Sequence, residues 1–230
     1  MRGQLRPIPL MVAALALLAV AGAALALALG SSGNGTASTT GTTLVSSSAS
    51  AGPSPEFDGA PLPGNVQAPN FTLSDQSGRG VSLGEYRGRV VVLAFLYTTC
   101  GGECTLIADQ IRGALDELAS EHARAPAVLI VSADPAADTP ARVRSFLSEV
   151  SLTGRAEYLS GPLSRLRTIW RAYHVHPASA GSAAFAEYAS VLLLDGGGAE
   201  RVLFQSEQLT PEAIAHDVAK LEHSGQAHPG

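Results

Sequence analysis

Cys100 and Cys104 are the only cysteines in the chain, and they stand four positions apart in the string CGGEC. Two thiols at that spacing have two chemical uses. They can close to a disulfide and reopen, carrying two electrons, or their thiolates can grip a soft ion, because thiolates select Cu(I) among available metals. The run ahead of them, Val90 to Tyr97 (VVVLAFLY), predicts a strand buried on both faces. From Glu103 onward Cys104, Ile107, Ile111, Leu115 and Leu118 form a helical stripe, while Asp109, Arg112, Asp116 and Glu117 take the other face. Cys100 therefore stands between a strand and a helix, where unpaired N–H groups and the helix dipole favour thiolate over thiol. It is the candidate nucleophile, and Cys104, one turn further on the same face, is the candidate resolving thiol. The sulfurs reach disulfide distance if the first turn opens slightly, which Gly101 and Gly102 allow. Glu103 acts against this, since a neighbouring carboxylate raises a thiol pKa. Two inert cysteines on a buried helix face are the plain alternative; the junction and the glycine-softened turn favour a working pair.

The elements that must position this pair follow in order. Ala127 to Ser132 (AVLIVS) predicts a second buried strand, and Thr139-Pro140 an N-cap and first-turn proline for a helix bearing Val143, Phe146, Leu147 and Val150. A short strand around Glu157 to Leu159 precedes a helix from Leu163 to Tyr173 with Leu163, Leu166, Ile169, Trp170 and Tyr173 on its apolar face. Ser190 to Leu194 and Arg201 to Phe204 read as a hairpin across Asp195-Gly196-Gly197-Gly198. Thr210-Pro211 opens a last helix with Ile214, Val218 and Leu221. A parallel strand-helix-strand start closed by a hairpin and a helix is the thioredoxin-like arrangement, an α/β fold with a central mixed sheet flanked by helices. A doubly wound sheet is the alternative, and the late hairpin counts against it. Asp134 and Asp138, after the second strand, read as turn and cap residues, with proton shuttling to the thiols as the other use.

Ahead of this domain, Leu10 to Leu29 is an uncharged apolar run preceded by Arg2 and Arg6. At about 1.5 Å per residue it spans about 30 Å, the thickness of a bilayer core, so the expectation is a transmembrane anchor at 10–29. A cleaved signal peptide is the competing reading. The flanking arginines keep 1–9 cytoplasmic and place everything after Gly30 outside, which makes the chain a single-pass protein of the cell membrane. Residues 30–65, rich in Gly, Ser, Thr and Pro, read as a flexible linker, 66–222 as the domain, and 223–230 as a disordered tail. A net charge of -5 with 15 Lys and Arg argues against nucleic acid as a partner. Two cysteines so close together are no framework of structural disulfides. His122, His216, His223 and His228 are too scattered for a metal motif.

Several strings in one order carry a family resemblance: APNFTLSDQSGRGVSL, YRGRVVVLAFLYTTC, the CGGEC element, VSADPAADTPARVRSFL, SGPLSRLRTIWRAYHV and VLLLDGGGAERVLF. Together these resemble the Sco (SenC) family of thioredoxin-fold copper and redox proteins, from about Ala68 to Phe204. The resemblance implies assistance in assembling the dinuclear copper centre of cytochrome c oxidase. It implies copper, as Cu(I) or Cu(II), on Cys100 and Cys104, a cytochrome oxidase subunit as copper-site partner, and a thiol reductant protein as supplier of electrons. Two departures stand out. The family's third copper ligand is a histidine on the loop before the closing hairpin, and here that neighbourhood reads Ala186-Glu187-Tyr188-Ala189. Thr105 stands where the family usually has proline. His174 and His176, upstream in the same connection, are the candidates for a replacement third ligand, and two exposed loop histidines are the plainer reading. Thiol redox therefore ranks ahead of metal storage, with a Cu(I) chaperone as the second reading.

Overall fold

The computed structural model describes residues 56–177 and 189–226. The expected anchor at 10–29 lies outside them, and among the described residues no helix is long and apolar enough to cross a membrane. The fold grows from β4 (Val91–Leu96), every residue of which is buried. Its side chains alternate, as strand geometry demands. Val92, Ala94 and Leu96 enter one core, and Val91, Leu93 and Phe95 enter the other.

β5 (Ala127–Ser132) lies parallel to β4, and β6 (Glu157–Leu159) parallel to β5. On the other side β7 (Ser190–Leu194) pairs antiparallel with β4, and β8 (Glu200–Gln205) closes the hairpin. The sheet is completed by β1 (Ala60–Pro61) on β8, giving the mixed order β1-β8-β7-β4-β5-β6. A separate hairpin, β2 (Thr72–Ser74) and β3 (Gly80–Ser82), covers part of one face.

Helices α1 (Gly102–Ser120), α2 (Pro140–Glu149) and α4 (Pro211–Gln226) bury their apolar stripes on one face of the sheet; α3 (Leu163–Ala172) buries Leu166, Ile169 and Trp170 on the other. Thr139 caps α2, its hydroxyl accepting the Arg142 N–H at 3.4 Å, with Pro140 in the first turn. This is the mixed α/β architecture with a central sheet flanked by helices that the sequence predicts.

Two boundaries differ from expectation. Residues 56–65 are folded: Ala60 and Pro61 form the edge strand, and Phe57 packs against the α1-side core. The tie is long-range. Asp217 on α4, fully buried, accepts the Asp58 N–H at 2.9 Å and the Gly59 N–H at 3.0 Å. A two-residue strand has no periodicity to read, so composition alone assigned this stretch to the linker. At the other end α4 continues to Gln226, so residues 223–226 are helical. His216 stands beside Asp58 and Asp217, a trio the sequence does not suggest; within it Asp217 accepts the two backbone amides that fasten the residues before β1 to α4, and its Oδ1 lies 2.9 Å from the His216 Nδ1.

Candidate dithiol site

Strand β4 ends at Leu96 and α1 begins at Gly102, and the five residues between them deliver Cys100 to the helix entrance. Gly101 is the N-cap of α1 with φ 80° and ψ -145°, backbone that is open to glycine and strained for any other residue. That turn points Cys100 back over the first turn of α1. There its Sγ accepts the Cys104 N–H at 3.1 Å, taking the part a capping side chain usually plays.

Cys100 and Cys104 are joined as a disulfide with Cα atoms 5.9 Å apart, within the usual span for such a bond. The two differ in exposure: Cys100 is partly open to solvent, while Cys104 is 1% exposed and packs in the α1-side core with Ile107 and Ala108. An attacking thiol must be reachable by its partner, and of the two sulfurs Cys100 is the more accessible. Glu103 lies in the first turn, with one carboxylate oxygen buried and without a hydrogen-bond partner among the described residues. Thr105 returns its N–H and its hydroxyl to the Gly101 carbonyl at 3.4 and 3.3 Å, tying the turn on its far side.

The aspartates after β5 take different parts. Asp134 forms the expected turn, accepting the N–H groups of Ala136 and Ala137. Asp138 is buried rather than capping, and its Oδ1 accepts the Thr98 N–H at 2.7 Å, two residues before Cys100. Tyr97, the first residue of the same loop, is buried; burial pushes its phenol up, and the Asp134 charge adds to the effect.

His174 and His176 are both exposed. His174 follows α3 with φ 55° and lines a groove with Leu192, Leu203 and Glu200, on the α3 face of the sheet. Burial raises the Glu200 carboxyl, and the charge of His174 opposes that rise. Cys104 belongs to the core on the opposite face, so the structure does not bring His174 to the pair. Pro177, next to His176, stands by Trp170 and Arg171 of α3. Among the described residues no third His, Asp or Glu joins the two sulfurs in a metal-sized group. Residues 186–188, where the expected family histidine is missing, lie outside the described residues.

A lone CxxxC disulfide at the strand-to-helix junction of a mixed sheet flanked by helices defines a thioredoxin-like protein. The family model SCO1/SenC matches residues 60–223, and the chain belongs to that family. Yeast Sco1, in a crystal structure with copper bound, superposes with a TM-score of 0.59 at 18% identity, covering 73% of this chain and 97% of that one. A Stutzerimonas stutzeri protein named provisionally as copper-binding is 30% identical over 103 residues, 43% of this chain and 50% of its own length. A Mycobacterium tuberculosis protein named provisionally as a peroxiredoxin is 33% identical over 107 residues, 46% of this chain and 62% of its own length. The chain thus spans about half to three fifths of the curated relatives it matches.

Proposed function

We propose that this protein is a membrane-tethered, Sco-type thiol-disulfide protein that assists assembly of the copper centre of cytochrome c oxidase on the outer face of the cell membrane. The observation that carries the reading is the Cys100–Cys104 disulfide itself, closed between a partly exposed sulfur and a buried one at a helix entrance. In the reduced state the Cys100 thiolate attacks a disulfide sulfur of the copper-site partner. A mixed disulfide forms, and one partner thiolate leaves. Cys104 then attacks the Cys100 sulfur as thiolate, closing the intramolecular disulfide and releasing the second partner thiol. Two electrons pass to the partner, leaving its cysteines free to take metal; a dithiol reductant protein restores Cys100 and Cys104. The tether reading rests on the apolar run at 10–29 and the arginines before it.

Copper is cargo in this scheme. Two thiolates one helical turn apart suit Cu(I), and the copper-bound yeast relative and the name of the Stutzerimonas stutzeri relative support its presence. The second reading, a Cu(I) chaperone that never exchanges disulfides, is favoured by the burial of Cys104, which shields a bound ion on one side. Equilibration with glutathione buffers of graded potential, with thiols counted by alkylation, tests the first reading. A single two-electron couple at Cys100–Cys104 is expected. A pair that neither closes nor exchanges over the whole range, yet binds Cu(I) when reduced, overturns the redox reading in favour of the chaperone.

A further inference from the structure

A buried carboxylate is costly unless donors converge on it, and Asp138 has three, from three separate parts of the chain. Its Oδ1 accepts the Thr98 N–H at 2.7 Å; its Oδ2 accepts the Ser132 hydroxyl at 2.6 Å and the Tyr158 hydroxyl at 2.8 Å. Asp138 is 6% exposed, Ser132 is fully buried and Tyr158 is 1% exposed. Each donor is itself fixed. The Ser132 carbonyl accepts the Trp170 indole N–H at 3.0 Å, and the Tyr158 hydroxyl lies 3.1 Å from the Leu96 carbonyl while its ring packs edge-on against Phe146. Thr98 belongs to the short loop that carries Cys100, whose own N–H returns to the Tyr97 carbonyl at 3.3 Å. The network therefore anchors the cysteine loop to β5 and β6 from below, on the same face of the sheet as Cys104.

A turn or a helix cap needs no buried carboxylate, and Thr139 already caps α2. We infer that Asp138 is the positioning residue of the dithiol site: through the Thr98 N–H it holds Cys100 over the first turn of α1 when the disulfide is open as well as when it is closed. This rests on the thiol-disulfide reading. Holding the loop raises the effective concentration of one thiol at the other, which favours the disulfide and lowers the reduction potential.

The test compares the full chain in detergent with Asp138→Ala, Asp138→Asn and Tyr158→Phe, each equilibrated with glutathione buffers, with melting temperature recorded alongside. Asp138→Ala is expected to weaken disulfide closure about tenfold, which for two electrons is about 30 mV toward a more oxidising couple. Asp138→Asn keeps an oxygen for the Thr98 N–H and is expected to return most of that shift. Tyr158→Phe removes one donor to Oδ2 but leaves the Thr98 bond in place, and is expected to lower the melting temperature while moving the couple by less than Asp138→Ala does. A merely structural role would lower stability in Asp138→Ala and leave the potential where it was, which overturns the assignment. An Asp138→Asn couple shifted as far as that of Asp138→Ala also overturns it, since charge and not the Thr98 bond would then set the potential. Amide exchange of the unmodified protein gives a reading that needs no variant. Protection of the Thr98 N–H in both redox states is expected, and its loss on reduction overturns the assignment. A wild-type chain with no couple at all removes the functional reading and this assignment together; a wild-type couple that Asp138→Ala leaves unmoved removes only the assignment.

Discussion

The Cys104 N–H points at the Cys100 sulfur across 3.1 Å, so the two cysteines touch through backbone as well as through sulfur. In the reduced protein that amide, together with the dipole of a 19-residue helix, favours the thiolate of Cys100. Cys104, at 1% exposure in the α1-side core, is the less reachable of the two sulfurs. Iodoacetamide trapping of reduced protein, read by peptide mass spectrometry, is expected to label Cys100 first and Cys104 much more slowly. Labelling of Cys104 ahead of Cys100 contradicts this order of roles.

The two glycines between the cysteines are not equivalent. Gly101 has φ 80° with open space where a Cβ would stand, so any cost of a side chain is backbone strain alone. Gly102 is the first helical residue, also with open space and without a positive φ. Gly101→Ala is expected to cost about 1–3 kcal/mol in urea unfolding and to loosen disulfide closure. Gly102→Ala is expected to be neutral or to stabilise by about 0.4–1 kcal/mol. Equal effects at both positions would remove the strained turn from the account.

How far the sequence carried the fold depends on the range over which each element is specified. Val90–Tyr97 and Ala127–Ser132 announce themselves by continuous apolar runs, and Thr139-Pro140 by local cap chemistry, and all three form where expected. The cysteine junction follows from those elements. The direction in which the Asp138 side chain turns does not, because its donors come from positions 98, 132 and 158 and nothing near it in sequence signals them. The same holds for β1, fastened by Asp217 from the last helix, and for His174, whose spacing from the cysteines is silent about which face of the sheet it occupies.

Gly113 sits mid-helix on α1, where glycine is normally a liability, because Pro211 at the start of α4 lies against it. A Cβ there would stand 2.8 Å from Pro211 Cγ and 2.9 Å from Pro211 Cβ. The pyrrolidine ring has little room to move, so Gly113→Ala is expected to push α1 and α4 apart. The cost expected by urea unfolding is about 1–3 kcal/mol despite the gain in helix propensity. A stabilised variant would mean that this close approach is not maintained in solution.

Asp116 links α1 to the turn before β6, accepting from Arg155 at 2.7 Å and from Arg112 at 2.9 Å. The Arg155 hydrogen bond, with the charges of both arginines, holds its carboxyl below the ordinary 3.8. A carboxyl depressed on folding stabilises above its unfolded pKa, and the contribution is lost as pH falls through the lower folded value. Both partners are substantially exposed, so the contribution is at most about 1 kcal/mol. Asp116→Asn is expected to be less stable than the natural chain near pH 7, with the gap closing below about pH 3.8. A gap that persists undiminished at about pH 2.5 would assign the effect to something other than this carboxylate.

The position of His174 makes a prediction about copper that separates the two readings of the cysteine pair. Its groove is walled by Leu192 and Leu203 of the α3-side core, and its charge acts on Glu200, which pairs with Leu194. The groove runs along the β7–β8 hairpin, from Glu200, whose partner Leu194 lies opposite Val91, to Ser190 and Gln205 at the other end. Among the described residues the imidazole and the two sulfurs do not come together in one metal-sized group. His174→Ala is therefore expected to bind Cu(I) in the reduced state within about threefold of the natural chain, under about 0.7 kcal/mol. Cys100→Ser is expected to lose tight binding, because a single thiolate remains. Competition against a chromophoric Cu(I) chelator measures both. A tenfold or greater loss in His174→Ala would show that the connection after α3 rearranges on metal binding, and the histidine would then take the place of the family's absent ligand.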